Sequence, residues 1–100
     1  MTTTIQELND QLVVVLDGQL DTAAAAETEK AMQPALESTD RDGVVDCNKL
    51  AYISSSGLRL LLALNKKCRA SGHKVMLKGL NDDLLKVFVM TGFNHLFEMQ

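Results

Sequence analysis

The spacing of polar and apolar positions changes several times along the chain, and each change marks an element. The segment "TTIQELND" alternates loosely, and "QLVVVLDGQLD" then carries an unbroken apolar run between polar turn residues. Loose alternation predicts a first strand, and a continuous apolar run of strand length predicts a second strand buried on both faces. Asn9 and Asp10 between them suit a tight hairpin turn, so the two strands are expected to pair antiparallel. After "DGQLD" the period becomes helical. Asp21 or Thr22 can cap the four alanines that follow, and alanine has the best helix propensity. Pro34 removes an amide and crowds the turn before it. A kink or an end is therefore expected near Gln33, with one more turn through "ALES", and "TDRDG" then reads as a loop.

"GVVDCNKLAYI" opens with a buried strand, Val44 to Cys47, and passes into a polar step. The next helix starts at the serines of "YISSSGLRLLL". At about 100° per residue, Leu58, Leu60, Leu61, Leu64 and Cys68 share one broad arc. Arg59, Lys66 and Arg69 mark the other side, and Leu62 falls among them. Gly72 is expected to end this helix with a left-handed cap. "HKVMLKG" reads as a strand. "NDDLLKVFVMTG" reads as a helix with Asn81 as N-cap, Asp82 and Asp83 at its positive end, and Gly92 after its last turn. "FNHLFEMQ" can add a short edge strand. The predicted order is β-β-α-β-α-β-α-β, an α/β class with a mixed sheet, a hairpin at its start and right-handed crossovers after it.

Composition narrows the functional classes. The 100 residues are too few for two separate cores, so residues 1–100 are expected to form one domain. The net charge of −3 is mild and gives no basic stripe, which speaks against nucleic acid as a partner. "MTTTIQELND" lacks the features of a secretory signal, and no apolar run approaches a membrane span. The cytoplasm is the expected compartment. Cys47 and Cys68 form no CxxC motif and have no histidine nearby, so buried structural thiols are expected. His73 and His95 read as surface histidines.

Three successive hydroxyls, Ser54 to Ser56, stand where a strand-like run meets a leucine-rich helix. One of them, most simply Ser55 or Ser56, can serve as the helix cap. A nucleophile elbow needs GxSxG, and "ISSSG" lacks the first glycine. No acid-positioned base is arranged around His73 or His95, so no catalytic residue is assigned. A phosphate-binding loop is not supported either, because no GxxxxGK[ST] or GxGxxG follows a strand. No cofactor or metal site is expected. A phosphoacceptor role has a physical mechanism. Phosphate on Ser55 or Ser56 would add about −1.5 to −2 charge at a helix start. The free amides and the dipole there favour an anion. The fold would tolerate the modification, and its effect would fall on a docked partner.

"VVDCNKLAYISSSGLRLLL" resembles the signature of STAS domains, and of bacterial anti-sigma factor antagonists in particular. Asp46 matches that family's strand-end acid, Tyr52 and Ile53 its apolar pair, and Ser55, Ser56 and Gly57 its Ser-Ser/Thr-Gly. "LDGQLDTAAA" and "LLKVFVMTGFNHLFEM" are similar to its other conserved segments, so the resemblance covers nearly the whole chain. It implies phosphorylation at Ser55, or less readily Ser56, by a serine kinase that is also an anti-sigma factor. The unphosphorylated protein would capture that kinase, and a phosphatase would reset the cycle. Ser54 stands where the family carries an acid. That departure leaves room for a non-switching STAS subunit that binds the ATPase of a lipid-transport complex. On the first reading the partner surface comprises Tyr52, Ser54, Ser55, Ser56 and Gly57 with the exposed helix face of Arg59, Leu62 and Lys66.

Overall fold

A computed structural model describes residues 1–37 and 40–99. In chain order the elements are β1 (Thr2–Leu8), β2 (Gln11–Leu20), α1 (Thr22–Glu37), β3 (Gly43–Ile53), α2 (Ser55–Ala70), β4 (Val75–Lys78), α3 (Asp82–Thr91) and β5 (Glu98–Met99), with a 3-10 turn at Phe93–His95. The predicted order is the observed one. Ser38 of "ALES", Thr39 of "TDRDG" and Gln100 of the closing segment lie outside the described residues.

The strands form one five-stranded sheet in the order β1-β2-β3-β4-β5. β1 and β2 pair antiparallel, and the remaining neighbours pair parallel. Asn9 and Asp10 both take positive φ, 52° and 62°. That is the backbone of a two-residue turn whose twist matches the strands it joins. Each parallel crossover then steps the same way across the sheet. Crossovers of one hand stepping in one direction place their helices on one face.

The packing agrees. Leu12, Val14, Leu16, Val45, Cys47, Val75 and Leu77 point inward and share one core with Met32, Leu36, Leu61, Leu64, Leu84 and Phe88 of the helices. Each fully buried leucine or phenylalanine contributes about 1.5–3 kcal/mol of transfer free energy. Phe88 meets Phe97 edge-on, with ring centroids 6.0 Å apart, which ties α3 to the last strand.

Three expectations are corrected. β2 is buried on one face only. Leu12, Val14 and Leu16 are buried, while Val13 and Val15 are half-exposed. Val13, Val44, Met76 and Lys78 line an open depression of about 310 Å³ on the sheet face away from the helices. The apolar run suggested cover on both sides, but the crossover direction leaves this face without a helix. α1 does not end near Gln33 but continues through Pro34 to Glu37, which gives the further turn expected there. The missing amide falls in the last turn, where Ala35 and Leu36 are drawn into the core.

β3 does not stop at Cys47 but runs to Ile53. Its register against β2 shifts between Val15 and Asp17 and again between Gly18 and Gln19. At each shift β3 carries an extra residue, so its inward phase slips by one. Cys47, Leu50 and Ile53 all therefore face the core at a spacing of three rather than two. A strand with that spacing does not look like a strand in sequence. Asp46 sits at the first shift, where its Oδ1 accepts from the Asn48 amide (3.0 Å) and from Asn48 Nδ2 (2.7 Å).

Candidate functional site

The long β3 delivers its end to the start of α2 beside the end of β2. The Ser54 amide donates to the Leu20 carbonyl (2.8 Å), so the ladder holds right up to the turn. Ser54 then leaves the strand with φ −89° and ψ 171°, and its hydroxyl accepts from the Gly57 amide (3.2 Å). This is an N-cap, and it corrects the expectation that Ser55 or Ser56 would cap the helix. The capping hydroxyl belongs to the last extended residue, and Ser55 is already helical.

Gly57 is required by packing. A Cβ there would lie 2.7 Å from Leu20 Cγ and 2.9 Å from Ile53 Cγ1. The first turn of α2 thus presses its backbone directly onto the ends of β2 and β3. Its helical conformation needs no special freedom; only the absence of a side chain matters here.

These two constraints sort the three hydroxyls. Ser54 is buried and engaged, Ser56 is half-buried, and Ser55 is exposed. Among the described residues, no hydrogen bond engages the Ser55 hydroxyl. The loop is fixed from below by Leu20, Ile53, Ser54 and Gly57, and presents the Ser55 hydroxyl to solvent above.

Of the residues expected at the partner surface, Tyr52, Ser55, Arg59 and Lys66 are exposed. Tyr52 is 50% exposed, which is large for an aromatic ring beside a buried Ile53. Ser54 and Gly57 are buried and shape the loop from within. Leu62 was expected among the charged residues as an exposed contact; it is half-buried and packs against the core. Its neighbours along the helix, Leu58 and Asn65, are buried too, which places that stripe at the boundary between core and solvent. The helix wheel had the correct direction but too narrow an apolar arc.

Beside the serines, α1 and α2 enclose an open groove of about 360 Å³, lined by Thr22, Glu29, Ser56, Arg59 and small alanines. Sequence reasoning missed it, because only the packing of α1 on α2 brings Thr22 and Glu29 to Ser56. The alanine run was the available signal, since small side chains leave space between helices. Asp21, the N-cap of α1, accepts from the Ala24 amide (2.8 Å), which settles the choice between Asp21 and Thr22.

The remaining chemistry lies away from this loop. Burial pushes the Cys47 thiol up to about 12, with Asp46 adding to the effect. Burial also raises the Cys68 thiol, and both cysteines are free and buried. A thiol held protonated in this way is a poor nucleophile. His73 is tied to Asp42 (Nδ1 to Oδ1, 3.2 Å) at the opposite end of β3. Among the described residues no cluster of three or more His, Cys, Asp or Glu could hold a metal, and no helix is long and apolar enough to cross a membrane.

Comparison with known proteins agrees with this geometry. Residues 3–98 match the family described as MlaB, STAS domain. The chain belongs to the STAS domain family. It is 30% identical over 97 residues to BtrV of Bordetella bronchiseptica, assigned as an anti-sigma factor antagonist; the match covers 97% of this chain and 84% of that one. It is 26% identical to the anti-sigma-B factor antagonist of Staphylococcus aureus, covering 86% of this chain and 80% of that protein. In structure it is similar to the anti-sigma factor antagonist SpoIIAA in its unphosphorylated form (TM-score 0.76, 20% identity, 99% of this chain and 87% of that one). The phosphorylated form of Bacillus SpoIIAA gives a TM-score of 0.74 at 19% identity, covering 99% of this chain and 91% of that one.

Proposed function

We propose that the chain is an anti-sigma factor antagonist of the cytoplasm, a binding domain without catalysis of its own, switched by phosphorylation at Ser55. The observation that carries this reading is the exposed Ser55 hydroxyl, without a hydrogen-bond partner among the described residues, on the close-packed turn formed by Ser54 and Gly57. The anti-sigma factor is itself the serine kinase. It transfers the γ-phosphoryl of ATP to Ser55 Oγ and releases ADP and the hydroxyl proton. The unphosphorylated domain captures that kinase and frees the sigma factor, and a phosphatase restores the hydroxyl.

The physical effect is local. A phosphate at the first position of α2 meets the positive end of the helix, so the fold gains rather than loses by it. A partner seated over Tyr52, Ser55 and Arg59 meets a new dianion in its contact surface. Likeness to the solved unphosphorylated and phosphorylated forms of SpoIIAA supports a switch of binding without a switch of fold.

Incubation with the anti-sigma factor of the same genome and ATP should add one phosphate, absent in Ser55→Ala and retained in Ser56→Ala. No transfer to either serine rejects the switch. A second reading is favoured by Ser54, which stands in place of the family's acid and is committed to the cap. On that reading the domain is a constitutive subunit on the ATPase of a lipid-transport complex. Stable co-purification with such an ATPase, unchanged by phosphatase and by Ser55→Asp, would establish it.

A further inference from the structure

The mild net charge conceals a strong local imbalance. The chain has 10 basic and 13 acidic side chains. α2 holds four of the basic ones, Arg59, Lys66, Lys67 and Arg69, and no acid. The rest of the molecule is left with six basic against thirteen acidic groups, a net charge of −7 against +4 on this helix. The expectation that the chain offers no basic stripe therefore fails at the level of one element.

The cations are also ordered. Ser55, Arg59, Leu62, Lys66 and Arg69 recur at intervals of four and three and fall within an arc of roughly 80°. They form a seam about 21 Å long at the helical rise per residue. Ser55, Arg59, Lys66 and Arg69 are exposed, and Leu62 lies half-buried at the centre. Arg69 donates to the Leu96 carbonyl (2.9 Å). Arg59 and Lys66 have no ion pair among the described residues. Glu29 of α1 lines the same groove as Arg59 without closing a bridge to it. Cations left unneutralised on one side of an acidic protein attract a complementary surface and orient its approach.

We propose that this seam is read by an acidic groove on the anti-sigma factor, and that phosphate on Ser55 acts by reversing the sign at its head. The proposal rests on the antagonist reading above and adds the chemistry of the partner. Arg59 stands four residues after Ser55, on the same side of the helix, within reach of a phosphate there. A phosphoserine thus occupies Arg59 and brings about −1.5 to −2 charge to a seam that otherwise carries only cations. The same acidic groove that is drawn to the unmodified seam is then repelled. A polyanion such as nucleic acid or an anionic bilayer fits less well. The seam is short, has a leucine at its centre, and is surrounded by a molecule of strongly negative charge.

The test is calorimetric titration of the purified anti-sigma factor with the wild type, Arg59→Glu, Lys66→Glu, Lys78→Glu and Ser55→Asp. Lys78 is an exposed cation on the sheet face away from the helices, so its reversal controls for net charge. Each seam reversal should weaken binding by about tenfold or more, and Lys78→Glu by about twofold or less. Wild-type affinity should also fall by at least about tenfold between roughly 50 mM and 500 mM salt. Equal effects of all three reversals, or affinity indifferent to salt, overturn the proposal. Tight binding by both seam variants with loss in Ser55→Asp removes the acidic groove but leaves the switch standing. Absence of wild-type binding removes the antagonist reading itself. Binding of duplex DNA or phosphatidylglycerol vesicles, lost in the same seam variants, assigns the seam to a polyanion and equally overturns the proposal.

Discussion

The two ends of β3 are built from similar polar residues and use them in opposite ways. Before the strand, Asp42 is held on both its side chain and its backbone. Its side chain accepts from His73 Nδ1 and from the Lys74 amide, both at 3.2 Å, and its carbonyl accepts from the Leu12 amide. After the strand, the polar groups are divided. Ser54 closes the helix, and Ser55 is left exposed, its hydroxyl without a hydrogen-bond partner among the described residues. The Asp42 end ties β3 to its neighbours, and the Ser55 end offers a group on a close-packed support. A polar residue engaged within the fold is explained by the fold. One left free on a buried, close-packed support calls for a partner.

That contrast can be broken by mutation, with the largest effect expected beneath the site. Leu62→Glu forces a carboxylate against the core and should destabilise the domain by at least about 2 kcal/mol in urea unfolding. A stable Leu62→Glu protein would return Leu62 to the exposed face. Gly57→Ala sets a better helix former, worth up to about 1 kcal/mol, against overpacking of about 1–3 kcal/mol. The contacts below 3 Å with buried Leu20 and Ile53 make the clash dominant, for a net loss of about 1–2 kcal/mol by the same measurement. Ser54→Ala should cost about 1 kcal/mol through the lost cap. Ser55→Ala, one residue on, should stay within about 0.5 kcal/mol of wild type, because its exposed hydroxyl makes no hydrogen bond among the described residues.

The smallest effect belongs to the other end. The amide of Lys74 holds the Asp42 carboxyl below its ordinary range; burial opposes it, and the hydrogen bond and charge of His73 add to the lowering. A carboxylate depressed in the folded state stabilises above its unfolded pKa of about 3.9 and ceases to do so as pH falls through the folded value. Stability should therefore decline below about pH 4, and Asp42→Asn should flatten that decline. The group is largely open to solvent, so the amplitude should stay below about 1 kcal/mol.

The sequence-level reading succeeded where period and cap chemistry act locally. Asn9-Asp10 marked the hairpin, Asn81 with Gly92 bounded α3, and the serine-glycine turn marked the start of α2. It failed where a tertiary feature shifts the phase. The two bulges of β3 place Cys47, Leu50 and Ile53 on one side at a spacing that no simple strand period contains. Pro34 read as a kink or an end because helix propensity is local, whereas the turn after it is held by Ala35 and Leu36 in the core. The choice among the serines was not legible either. It turns on which residue is the last extended one, and a single residue of register moves the capping hydroxyl from Ser55 to Ser54. The basic seam on α2 was hidden by the opposite charge of everything around it.

The central claim is that modification at Ser55 alters binding and leaves the fold alone. Its most direct test is the affinity of stoichiometrically phosphorylated and unphosphorylated protein for the anti-sigma factor, measured alongside the melting temperature of each. The account predicts affinity lower by about tenfold or more after phosphorylation, with melting unchanged or slightly raised. Equal affinities, or a loss of affinity that comes only with a lowered melting temperature, would contradict it.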